Sequence, residues 1–501
     1  MGFLHGKRIL IVQQRNWGID IGHLLAKKLA AEGARLAAVT YKKSAHVFHA
    51  SQKEVSYEVL ISNDDALENP EKYLKGRTFT IEEMTKALGV TSIWPIPFAS
   101  REITRSYAEG FNFANLQQLS DADIILYLQT AFAYVSDLLE SFKPEAIVVS
   151  RIAEPANFMM YYLARKRAVR CLSITDSKVR GVWISTYTPW ETEGPSLDRV
   201  DELNSGGQSD NSEWARRYIA EFRESFKRPT YMDKVYDTLP LWKRMRQELA
   251  PYRRIIEWYT RQHPDCIKKL GATVDCRPPL IILRDHYTKW WRKRVARRFS
   301  YFPLEAVGTY VYYPLQYEPE TTLDVFAPYF TNQIELAKQI AMSLPGDYTL
   351  VVKDHPAMFG LRSFSDLQSL SRCANIKLVD SRIPGEKLLK GASLVLAPNS
   401  TSLVEAAFYG IPAIQFGDQG VTQKLPNVIR HTDLTTLPNV LAKHILEKQG
   451  GDEYERRIEN FVASIYDVGH QLDYLAAWEG GKTSEREKIW QMYRKELERI
   501  L

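Results

Sequence analysis

The chain has 501 residues, 45% of them hydrophobic and 25% charged, with 66 Lys and Arg against 60 Asp and Glu and a net charge of +6. That length exceeds what one ordinary core encloses, so two or three domains are expected, with the composition of a soluble globular chain. So small a basic excess does not by itself imply a nucleic-acid partner, and none is expected.

The opening "MGFLHGKRILIV" lacks the long apolar stretch and cleavage site of a signal peptide. Gly6 stands where a myristoylation signal would need Ser or Thr. From there "RILIV" reads as a strand, "QQRNWGIDIG" as a polar loop with two glycines, "HLLAKKLAAEG" as an amphipathic helix and "ARLAAVT" as the next strand. Strand, loop, helix, strand is the βαβ signature of a parallel sheet. The apolar run "IILYLQTAFAYVSDLLESF" is interrupted by Gln129, Thr130, Ser136 and Asp137 and reads as a core helix, not a membrane span. The βαβ pattern returns at "EAIVVS", "RIAEP", "ANFMMYYLARKRAV" and "RCLSIT", so a first α/β domain reaches about residue 185.

Residues 186–212 are rich in Pro, Gly, Ser and acids and are expected to be a mobile loop. Helical patterns follow, "SEWARRYIAEFRESF" and "LWKRMRQELAPYRRIIEWYTRQ", to about 265. Near 309 a second alternating set begins with "TYVYYPL" and continues through "YTLVVK", "NIKLVD", "ASLVLAPN" and "IPAIQFG". The expected division is 1–275, a Rossmann-like domain with a helical extension; 276–470, a second Rossmann-like domain; and 471–501, a C-terminal helix. The fold class is α/β, two doubly wound domains facing a cleft, with ligands beyond the carboxyl ends of the strands. Four cysteines (Cys171, Cys266, Cys276, Cys373) lack metal-ligand spacing and read as reduced thiols of a cytosolic protein.

Two motifs sit at such strand ends. "YTLVVKDHP" finishes an apolar strand with Lys353 and His355, an ammonium and an imidazole able to meet a phosphate, while Pro356 sets the turn; a solvated surface turn is the plainer reading. The other His-Pro, His263-Pro264, follows a helical pattern and reads as a helix end. In "LVLAPNSTSLVEAAFYG", Asn399, Ser400, Thr401 and Ser402 lead from a strand into a helix. Their hydroxyls cap that helix, and its N–H groups and dipole also suit an anion. Glu405, one turn in, is placed to reach ribose hydroxyls. Together the motifs converge on one crevice fit for a nucleotide phosphate.

Residues 309–437 resemble the C-terminal half of the capsule polysaccharide biosynthesis family, GT-B glycosyltransferases that include bacterial Kdo transferases. The segments are "YVYYPLQYEPETTL", "YTLVVKDHP", "NIKLVD", "NSTSLVEAAFYGIPAIQFG" and "LPNVIRHTDL". The resemblance implies that His355, Ser400 and Thr401 hold a donor phosphate, CMP-linked by preference or UDP-linked, and that Glu405 holds the ribose. Lys353, Asn399, Gln316 and Glu320 would line the same site. After Pro-Leu-Gln this chain reads "YEPETTLD", where the Kdo-transferring members carry an Asp-containing stretch, so the sugar need not be Kdo.

The acceptor side belongs to the N-terminal half. Glu154 follows the strand "AIVVS", and Asp176 follows "LSIT" with Lys178 and Arg180 beside it. Either carboxylate is a candidate catalytic base or nucleophile, the alternative being ion pairing with Arg151 or Lys178. Asn16 and Gly18 belong to "NWGIDIGH", which resembles the acceptor-side glycine loop of this fold. Asp121-Ala122-Asp123 matches the Asp-x-Asp of metal-dependent glycosyltransferases but precedes its apolar run and reads as a helix start with Ser120. No catalytic metal and no cofactor are expected.

The expectation is a cytoplasmic glycosyltransferase of bacterial capsule or lipopolysaccharide assembly acting on a saccharide or lipid-linked glycan. The alternatives are a non-hydrolysing nucleotide-sugar 2-epimerase, which needs no acceptor, and a catalytically silent assembly protein. In "HYTKWWRKRVARRFSYF" basic residues interleave with Trp290, Trp291, Val295 and Phe299. Trp291, Val295 and Phe299 share a stripe at helical spacing. Residues 287–299 then either rest on anionic lipid or form an inter-domain helix that buries its aromatics.

Overall fold

The computed structural model describes residues 2–104, 110–111, 119–226, 240–260, 277–447, 449–478 and 481–501. His263-Pro264, Cys266 and Cys276 lie outside them, as does the end of the helical pattern beyond 260.

Two sheets organise the chain. β1 (Arg8–Gln14), β2 (Arg35–Tyr41), β3 (Val59–Ser62), β4 (Ala146–Val149) and β5 (Arg170–Asp176) are parallel, and β6 (Val182–Thr186) turns back antiparallel. β7 (Tyr310–Pro314), β8 (Thr349–Lys353), β9 (Ile376–Val379), β10 (Ala392–Ala397), β11 (Ala413–Gln415) and β12 (Val428–Arg430) form an all-parallel second sheet. β13 (His470–Gln471) returns to the edge of the first sheet. The orders are β13-β6-β5-β4-β1-β2-β3 and β12-β11-β10-β7-β8-β9. Counted within each domain, the parallel strands run 3-2-1-4-5, extended to 6 in the second, which is the Rossmann order. Central strands such as β1 and β8 are continuous apolar runs because helices cover both faces.

Three elements differ from the sequence reading. "QQRNWGIDIG" is no loop: β1 runs to Gln14, and a helical turn Arg15–Trp17 and a π-helical turn Gly18–Gly22 lead directly into helix His23–Ala31. The glycines allow close packing, since a Cβ on Gly18 would lie 2.6 Å from the Gln13 carbonyl carbon. The polar composition concealed a helix start seated on the strand end.

The segment 186–212 contains an ordered helix. Pro195–Asn204 buries Leu197, Val200 and Leu203 in the core shared with helix Asp452–Val468, and Arg199 pairs with Asp467 at 2.7 Å. Three apolar residues at helical spacing outweigh the surrounding Pro, Gly and Ser. In helix Pro279–Arg298 the expected stripe is split: Phe299 packs on the second core, whereas Trp290 and Trp291 are exposed.

Helix Asp121–Phe142 is long and apolar enough to cross a membrane by composition, yet most of its apolar stretch is buried inside the first core. Ser120 caps it, accepting the Asp123 N–H at 3.2 Å, so the Asp-x-Asp is a helix start. The last helix, Thr483–Ile500, packs Ile489, Trp490, Tyr493 and Leu497 against Ile9, Leu25 and Leu29 of the first domain. The buried Glu496 accepts from Ser185 at 2.7 Å and pairs with Arg499 at 2.8 Å.

Candidate functional site

The second sheet changes direction between β7 and β10, and a crevice opens beyond their carboxyl ends. It holds a cavity of about 510 Å³ lined from both domains. His355, Ser400, Thr401, Lys353, Glu405, Asn399, Gln316 and Glu320 line it from the second domain; Asp176, Lys178 and Arg151 line it from the first.

β8 delivers the His-Pro turn. Lys353 is buried and donates from Nζ to the Ile383 carbonyl at 3.0 Å. His355 Nδ1 accepts the Ala357 N–H at 3.1 Å, which leaves the ring proton on Nε2. Burial, helped by Lys353 and Arg362, pushes the imidazole down to about 4. At neutral pH His355 is therefore an uncharged N–H donor with a fixed tautomer, not the cation its sequence context invites.

What holds the turn is a buried ion cluster. Asp354 accepts the His355 N–H at 2.9 Å and pairs with Arg362 at 3.0 Å, and Arg362 also pairs with Glu318 at 2.7 Å. Burial opposes the Arg362 charge, but the two carboxylates outweigh it and hold the guanidinium above its ordinary value. Burial raises the Asp354 carboxyl against the pull of Arg362.

β10 delivers the hydroxyls. Ser400 is the N-cap of helix Thr401–Phe408 and accepts the Ser402 N–H at 3.1 Å. Burial pushes the Glu405 carboxyl up to about 7, against Lys353 and hydrogen bonds from Ser402 and Thr401. A carboxyl raised above its ordinary 4.5 supports the fold fully below that pH and loses that support as pH rises through about 7. Glu405→Gln is thus expected to be more stable than the parent near about pH 8, by on the order of 1–3 kcal/mol, with the gap narrowing towards about pH 5. Melting curves across that range check this; a gap independent of pH would contradict it.

Gln316 and Asn399 have structural work at the same place. Asn399 Oδ1 accepts from Gln415 at 3.0 Å, its Nδ2 donates to the Thr322 carbonyl at 2.9 Å, and its carbonyl accepts from Gln316 Nε2. Glu320 is exposed, with its carboxylate accepting from Thr322 at 3.1 Å.

From the first domain, Asp176 ends β5, accepts the Lys178 N–H at 3.3 Å and lies 3.8 Å from the Lys178 ammonium. Glu154 and Asn16 line a separate cavity of about 330 Å³ at the first domain's own switch point, with Lys42, Asp64 and Trp478. Glu154 accepts from Ser100 at 3.0 Å. Ser150 lines that cavity and Arg151 the larger one, so the β4 loop separates the two. Gly18 is buried under Gln13, and Arg180 is exposed and lines neither cavity.

Sequence reasoning missed the residues that close the site. Glu191, buried with a φ of 56°, accepts from Thr175 at 2.6 Å and from Gln419 at 2.7 Å, tying the two domains across the cleft. Gly420 donates to the Trp190 carbonyl at 2.9 Å, where a Cβ would come 2.4 Å from the Glu191 carbonyl oxygen. Trp183, Tyr317 and Gln419 also line the cleft. Arg362 carried no motif.

Two Rossmann-ordered domains meeting across a cleft make this a GT-B fold. No family model and no curated protein sequence matches the chain. Among solved structures it is similar to KpsC, the β-Kdo 2,7-transferase of Thermosulfurimonas dismutans, at 13% identity over 70% of this chain and 88% of that one, with a TM-score of 0.33. It is also similar to the Methanocaldococcus jannaschii UDP-GlcNAc 2-epimerase in complex with UDP-GlcNAc and UDP (12% identity, 90% and 97% covered, TM-score 0.26). The calicheamicin glycosyltransferase CalG4 stands at 12% identity, with 99% of each chain covered and a TM-score of 0.27. These likenesses assign no role to any residue.

Proposed function

We propose that the chain is a glycosyltransferase that moves a sugar from a nucleotide donor, CMP-linked by preference, to a saccharide acceptor in bacterial capsule or lipopolysaccharide assembly on the cytoplasmic side. The observation that carries this reading is the meeting, in one cleft, of a fixed imidazole N–H, a hydroxyl-rich helix start and a buried lysine with a carboxylate and two cations from the opposite domain.

In this reading the donor phosphate lies against His355, Ser400 and Thr401, with Lys353 supplying charge beneath it, and Glu405 meets the ribose. The acceptor hydroxyl attacks the anomeric carbon and the bond from that carbon to the phosphate oxygen breaks. The electron pair stays on the nucleotide phosphate, and Asp176, which lines the same cleft, takes the hydroxyl proton. Fixed donors aimed at a developing phosphate charge act most strongly in the transition state. Glu154 lines the neighbouring cavity, across the β4 loop from this cleft, and takes no part in this step.

CMP is expected to raise the melting temperature more than UDP or GDP, since a ligand at about 100 times its dissociation constant stabilises by about 2.7 kcal/mol. A shift with UDP alone would reject CMP and keep the cleft. Turnover is expected to survive EDTA, because Asp121 and Asp123 belong to the first turn of a helix capped by Ser120; loss on chelation and recovery with magnesium or manganese would overturn this. Product formed from the donor alone, with the sugar epimerised at C2, would replace transfer by epimerisation.

A further inference from the structure

Helices Leu241–Thr260 and Pro279–Arg298 pack against each other, and together they carry apolar surface that nothing among the described residues covers. Leu241, Met245, Leu249, Tyr252, Ile256 and Tyr259 are all exposed, Leu249 by 60% and Ile256 by 62%. At 3.6 residues per turn these six fall within about 80° of one face. A core helix would turn such a stripe inward; here it faces solvent. The Tyr252 hydroxyl meets that of Tyr287 at 3.2 Å, which carries the stripe onto the second helix and the exposed Trp290 and Trp291.

Charge indicates what covers this surface. The two helices hold twelve Lys and Arg against three Asp and Glu, a net of +9 within a chain of +6, so the remainder is net negative. The cores of protein interfaces are depleted of charge. Exposed aromatics flanked by long basic side chains, whose stems lie on apolar surface while their heads reach out, suit the interface of an anionic bilayer. We propose that this helix pair docks the protein on a membrane surface rich in anionic phospholipid.

The pair is fastened beside the cleft. Arg292 donates to the Leu361 carbonyl at 2.5 Å and Arg284 to the Gly110 carbonyl at 2.9 Å. Gly360 lies so close to Lys293 that a Cβ would come within 2.2 Å of its side chain. Residues 360–361 adjoin Arg362, the partner of Asp354 in the His355 turn. The helix pair is thus anchored to the second domain immediately before Arg362.

Sedimentation of the full chain with phosphatidylcholine vesicles, with and without about one-third phosphatidylglycerol, tests the proposal. Binding is expected with the anionic vesicles only, with a blue shift of tryptophan fluorescence, and is expected to weaken with salt. Each basic residue near an anionic surface raises partitioning about fivefold, so Arg294→Glu with Arg298→Glu should reduce binding at least about tenfold. Leu249→Glu with Ile256→Glu should abolish the blue shift, and both variants, altered only at exposed positions, should melt as the parent does. Equal binding to neutral vesicles, or no binding to either, would overturn the proposal. So would a dimer in lipid-free solution that Leu249→Glu with Ile256→Glu dissociates, since the stripe would then belong to a second copy.

Discussion

His355→Ala is expected to lower kcat by about 10²–10³-fold while donor affinity stays within a few fold, the cost of removing one aimed hydrogen-bond donor from a transition state. The structure sharpens the reason. The imidazole enters the reaction neutral, held down to about 4 by burial and by Lys353 and Arg362, with Nδ1 committed to the Ala357 N–H. Its contribution is a positioned Nε2–H, so an amide of similar reach should restore more activity than a cation: His355→Gln should exceed His355→Lys. Ser400→Ala should act more on donor affinity, because that hydroxyl meets phosphate already in the ground state. His263→Ala, at the other His-Pro, should change neither constant. Near-normal turnover by His355→Ala would reduce the motif to a turn.

Arg362→Met is expected to destabilise the second domain by about 3–5 kcal/mol, because it leaves Asp354 and Glu318 without their shared cation in a buried place. For a domain of this size that corresponds to a fall of about 10 °C in Tm. Most of the cost is the stranded carboxylates, so adding Asp354→Asn and Glu318→Gln to Arg362→Met should recover a large part of it. Thermal melts of the single and triple variants decide this; equal melting temperatures for the two would show that the cation acts through packing alone.

Most of the parallel strands were legible because each is an apolar run beside a helical period, but the short β3 (Val59–Ser62) and β12 (Val428–Arg430) were not, and the strand orders come from the structure alone. The His-Pro and Ser-Thr-Ser strand ends were legible as well, since polar residues at the carboxyl end of a buried strand are conspicuous. Glycine-driven packing was not: in "NWGIDIG" the same two glycines that mark a loop also permit a helix to sit on Gln13. Nor was the inter-domain contact of Glu191 with Gln419, which joins residues far apart in sequence through a backbone conformation unusual for a glutamate. The sequence left Trp291 open between a lipid-facing and a buried place, because an aromatic at helical spacing looks the same whether its face meets a core or solvent.

The measurement that bears most directly on the cleft is the structure of the protein with CMP bound. The account predicts phosphate oxygens at about 2.7–3.1 Å from His355 Nε2 and from the Ser400 and Thr401 donors, with the ribose hydroxyls at Glu405. A nucleotide seated in the first domain's cavity beside Glu154, or bound in the cleft with its phosphate turned away from His355, would contradict it.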